Sequence, residues 1–144
     1  MKRTDLAWEK DFPIREEVED FAGKKRTFEI TCYERDLGYT VRAIEEPPEK
    51  IGYEFAAYSE TSPYDALGRL RRKMYRGVAT RHITGSSGSY HMTHEKLSGR
   101  ITCDPDAGML VVVDGVPLNM DDLARILETH EGFGIEIQIV DALE

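Results

Sequence analysis

The segment YEFAAYSETSPYDALGRLRRKMYRGV, residues 53–78, decides the fold class because its hydrophobic period changes half-way along. In the first part Tyr53, Phe55 and Ala57 recur at every second residue, the period of a strand with one buried face. Ser62 then offers a capping side chain, Pro63 suits the first helical position, and Asp65 favours the positive end of a helix. Leu67, Leu70, Met74 and Val78 follow at helical spacing and make one apolar stripe. The segment therefore predicts a strand followed by a helix whose apolar face can cover a sheet. Gly77 weakens the last turn.

Upstream, RTFEITCYE alternates Phe28, Ile30 and Cys32 against Glu29, Thr31 and Tyr33, and LGYTVRAIEE alternates Tyr39, Val41 and Ala43. The intervening RDLG predicts a hairpin turn, and the prolines of EEPPEKIG stop the second strand. Further upstream, Ile14, Val18 and Phe21 lie at helical spacing between Pro13 and Gly23. Residues 1–25 thus read as an N-terminal tail or docking helix.

Downstream, ITGSSGSYHM has the composition of a loop. LSGRITCD reads as a strand, PDAG as a turn, and MLVVV as a central buried strand. LNMDDLARILETHEG predicts a helix capped by Asn119 and stopped by Gly132, with Met120, Leu123, Ile126, Leu127 and His130 on one face. FGIEIQIVD predicts a closing strand with Phe133, Ile135, Ile137 and Ile139 inward. The fold class is α+β: a mainly antiparallel sheet packed by two main helices, in the order (α)-β-β-β-α-β-β-α-β. Residues 26–144 form a single domain on this reading.

Composition narrows the class. Forty per cent hydrophobic and 32% charged residues suit a soluble globular chain of 144 residues, and the longest apolar run is far too short to span a bilayer. The start MKRTDLAWEKDF lacks the apolar core of a signal peptide. Cys32 and Cys103 lie in strand contexts, with no CxxC spacing, and read as free, inward thiols of a reducing compartment. The expected location is cytoplasmic, with no membrane contact and no cofactor called for.

Charge supplies the main functional signal. The net charge is −8, yet residues 66–94 hold Arg69, Arg71, Arg72, Lys73, Arg76 and Arg81 and no acidic residue. At ~100° per residue, Arg69, Arg72, Lys73 and Arg76 cluster opposite the apolar stripe. Packing does not call for four cations on one face, and like charges at these spacings repel. The candidate binding surface is this face extended by Arg81 and His82. Its counterpart is an acidic segment of the same chain, a homodimer or protein partner, or another anion. The net charge disfavours nucleic acid.

Catalytic motifs are sparse. HMTHE places His91, His94 and Glu95 as a candidate metal set, but the order departs from H-E-x-x-H. TGSSGS lacks the spacing of a phosphate-binding loop, and no G-x-S-x-G elbow surrounds its serines. Asp104, Asp106 and Asp114 are explained by turn chemistry. The balance favours a non-catalytic binding or interaction module over a small metal-binding protein or enzyme.

Two resemblances bear on this reading. Val113, Asp114, Gly115, Leu123, Ile126, Leu127, Glu131, Gly132 and Phe133 form a V-x-D-G segment, a helix and an E-G-aromatic strand start. This last third resembles a family of small bacterial proteins of unknown function, which implies bacterial origin and no established activity. Some members carry a cysteine-rich N-terminal segment; this chain has none, so a zinc-ribbon role does not carry over. Residues 14–80, read as helix, three strands and basic helix, resemble a double-stranded-RNA-binding domain in element order. The first helical cation here, Arg69, comes more than a turn into the helix, and RDLG lacks that family's Gly-Pro-x-His loop.

Overall fold

Alternation along the first strands builds a four-stranded antiparallel sheet in the order β1-β2-β3-β4. Its strands are β1 (Ile14–Glu19), β2 (Lys25–Arg35), β3 (Gly38–Glu45) and β4 (Glu54–Ser59). Phe28, Ile30, Val41, Ala43 and Ala57 share one face and are almost completely buried. Helix α1 (Pro63–Ala79) lays Leu67, Leu70, Met74 and Val78 across that face. Each such burial stabilises by about 1.5–3 kcal/mol. The Ser62 side chain accepts from the amides of Tyr64 and Asp65, and Pro63 opens the helix as expected. The structure is a computed structural model that describes residues 5–144.

The N-terminal expectation needs correction. Residues 1–4 of the expected tail lie outside the described residues, and Asp5–Asp11 form a 3-10 helix. The docking helix expected over residues 14–21 is instead β1, paired with β2 from Ile14↔Ile30 to Glu19↔Lys25. Ile14 and Val18 satisfy a period of 2 as well as 3.6. A short isolated helix is marginal, whereas the strand gains a full ladder. The first half therefore runs β-β-β-β-α, and the element order behind the likeness to a double-stranded-RNA-binding domain is lost.

The second half has its own core. β5 (Ile83–Ser86) and β6 (Ser89–Met92) form a hairpin where composition suggested a loop. Its short Ser87–Gly88 connection and the half-buried Tyr90 and Met92 explain the order. β7 (Arg100–Asp104), β8 (Gly108–Val113) and β9 (Val116–Leu118) make a three-stranded sheet with β8 central. Helix α2 (Met120–Glu128) begins with a reciprocal cap, Asn119 accepting from Asp122 N–H and Asp122 from Asn119 N–H. Ile83, Val113, Leu118 and Ile126 form the buried cluster.

Three expectations for this half are revised. Of the apolar face assigned to the last helix, Ile126 is buried and Leu123 half-buried, while Met120 and Leu127 are exposed. Cys103 is exposed, because it stands on edge strand β7 near the hairpin end; Cys32 is half-buried. The closing strand over residues 133–140 is not paired with any strand, and its apolar side chains face solvent. The fold is α+β throughout, with three separate antiparallel sheets. Among the described residues no helix is long and apolar enough to cross a membrane.

Candidate functional site

The cations of α1 divide by direction. Arg71 points toward β1, where Glu16 Oε1 accepts from its Nε at 3.0 Å and its Nη2 at 2.9 Å. The other oxygen of Glu16 accepts from the Tyr75 hydroxyl, which raises that phenol's pKa. Glu16 was not a sequence candidate. Its signal was a charged residue between Ile14 and Val18 on the face that the strand period turns inward.

Lys73 points the other way, to the edge of the sheet. Its Nζ donates to Ala56 O on β4 at 2.8 Å and to Ala142 O at 3.0 Å. Burial lowers its pKa, opposed by the nearby charges of Asp141 and Glu144. Arg69 donates to Tyr58 O, also on β4, and pairs with Asp65 one turn earlier. Both side chains thus satisfy carbonyls on an edge strand, which would otherwise be open to pairing.

Arg72 and Arg76 remain. Both are exposed, and neither side chain makes a salt bridge or hydrogen bond among the described residues. They stand one turn apart on the face opposite the buried stripe, beside Arg69. The candidate surface read from the sequence is therefore narrower, with Lys73 engaged at the sheet edge.

Arg81 and His82 belong to a different structure, the joint between the halves. Arg81 donates to Ile83 O and Thr84 Oγ1, and its guanidinium lies over the Phe21 ring at 5.1 Å. His82 Nδ1 is 2.8 Å from Asp114 Oδ1; a carboxylate only accepts, so this nitrogen carries the hydrogen. The other oxygen of Asp114 accepts the backbone N–H groups of His82 and Ile83 at 2.7 and 2.9 Å. Asp114 and Gly115 form the β8–β9 turn with φ of 55° and 77°. A Cβ on Gly115 would lie 2.9 Å from the Tyr53 ring, so the turn packs directly on the first half. Burial, and then the charge of Asp114, push the Tyr53 phenol pKa up. Arg100 extends the joint, donating to Gly52 O at 2.8 Å.

A His–Asp pair invites comparison with a general base. Among the described residues, however, no hydroxyl, thiol or other side chain except Asp114 hydrogen-bonds the His82 ring. The metal candidates are likewise dispersed. His91 is exposed on β6, His94 and Glu95 are exposed in the following bend, and no three potential ligands gather among the described residues. Cys32 lines an open groove with Trp8, Phe12 and Tyr33, and burial pushes its thiol to about 11, away from nucleophilic character.

Residues 10–79 match the family model of a domain of unknown function, DUF7686, and residues 81–144 match that of another, DUF7713. No curated protein and no solved structure matches the chain. The division falls at Thr80, the C-cap of α1, and each matched stretch contains one of the two buried clusters.

Proposed function

We propose that the protein is a non-catalytic binding module whose Arg72–Arg76 ridge docks an acidic protein segment. The observation that carries this reading is selective pairing. Arg69, Arg71 and Lys73 each have partners within the fold, whereas Arg72 and Arg76 have none among the described residues. Two unpaired cations one turn apart repel by a few tenths of a kcal/mol, and an incoming carboxylate removes that cost. Guanidinium groups also favour forked pairing with carboxylates. A short acidic peptide brings less repulsion than a polyanion to a chain of net charge −8.

The test compares the parent with Arg72→Glu/Arg76→Glu against oligoglutamate and duplex RNA at two salt concentrations. Both positions are exposed, so stability should change by no more than about 0.5 kcal/mol. Oligoglutamate binding should be lost in the variant and should weaken with salt in the parent. Equal binding by both proteins would remove the ridge from consideration. Preference for duplex RNA would replace the acidic partner by a nucleic acid.

A further inference from the structure

Residues 133–140, FGIEIQIV, follow the turn after α2 with no helix, turn or strand assigned to them, and lead to the point where Lys73 holds Ala142 O. Phe133, Ile135, Ile137 and Ile139 are 64, 67, 78 and 74% exposed. Among the described residues, no backbone group of residues 134–140 hydrogen-bonds within the chain. This is a β-strand by pattern with both edges open and its apolar face in water. Such a segment is an unusual liability in a stable monomer.

We propose that this arm pairs antiparallel with the arm of a second copy of the chain, about a two-fold axis at Ile137. The sequence specifies that register. Ile137 faces Ile137, Ile135 faces Ile139, and Glu136 faces Gln138. Phe133, Ile135, Ile137 and Ile139 then share one face, as strand alternation requires. At the end of the arm Phe133 faces Asp141, so no carboxylate meets another along the pairing. Parallel in-register pairing would instead set Glu136 against its own copy. A two-fold centred on Glu136 would oppose two carboxylates, and a slip of one residue would put isoleucines opposite Glu136 and Gln138. The contact is isologous and closes, so it stops at a dimer. A two-stranded ribbon alone is marginal in water. Exposed Ile101, Met109, Met120 and Leu127, all in the same half, supply further apolar surface for it to close on.

The full chain should sediment as a dimer at about 100 µM and dissociate on dilution. Ile137→Lys should sediment as a monomer with unchanged circular dichroism and melting temperature, since Ile137 is 78% exposed in the single chain. Under mild oxidation Ile137→Cys should form a disulfide-linked dimer above the background set by the parent's own cysteines. Ile135→Cys and Ile139→Cys should cross-link when mixed and not when separate. A parent that is monomeric at the highest concentration, or a dimer that survives Ile137→Lys, overturns the proposal. A dimer in which Ile137→Cys cross-links only to Ile101→Cys overturns it too, because the arm then adds to the β7 edge of the other copy.

Discussion

Gly77 occupies the last turn of α1, where alanine would ordinarily be the better residue by about 1 kcal/mol. Here the sign should reverse. A Cβ at this position would lie 2.5 Å from Phe55 Cε1, inside the packed face of the sheet. Gly77→Ala should therefore destabilise by about 1–3 kcal/mol in urea unfolding, and Phe55→Leu in the same chain should recover part of the loss. Asp20 gives a pH-dependent counterpart. Burial alone would raise its pKa, but the amides of Ala22 and Lys24 and the guanidinium of Arg26 outweigh it and hold the carboxyl below its usual value. A depressed carboxyl stabilises the fold above the unfolded value of about 3.9, and that contribution disappears as pH falls through the folded value. Asp20→Asn should lose about 2 kcal/mol at pH 7 and flatten the acid limb of a stability–pH curve. An acid limb with the parent's slope would show that Asp20 does not titrate this transition.

The elements show where period alone suffices. In α1 the cap, the proline and the apolar stripe all agree, and the helix forms where the residues predict it. In β1 the same residues satisfy two periods, and the decision came from β2, whose paired residues run from Lys25, opposite Glu19, to Ile30, opposite Ile14. The hairpin of β5 and β6 was hidden because glycine and serine report turns while carrying no face. The basic face was legible as a charge anomaly, but its division was not. Whether a cation on α1 meets Glu16, a carbonyl of β4 or solvent depends on how the helix is rotated on the sheet. Lys73 tests that division at the level of an element. Lys73→Met leaves Ala56 O and Ala142 O without their donor, which should cost about 1–2 kcal/mol. It should also increase amide exchange in β4 and residues 141–144, while β1 and β2 keep parental rates.

At the scale of the whole molecule, the halves carry separate buried clusters and differ in charge. Residues 81–144 hold 11 acidic and 4 basic side chains, so most of the net −8 lies there. The joint depends on Asp114, which ties the chain at His82 and Ile83 to the turn packed on Tyr53. Asp114→Ala should cost about 2–3 kcal/mol and split one unfolding transition into two by calorimetry. A single transition with the parent's midpoint would show that the joint does not couple the halves. The bond from Lys73 to Ala142 spans 69 residues of sequence, so closing it before the chain between them is ordered costs more entropy than a local contact does. The residues it holds are exposed, so the latch should be among the last contacts made in folding and the first to open. While it is open, residues 133–140 hang from α2 alone, and the fold passes from a strap fastened at both ends to a line with one loose end.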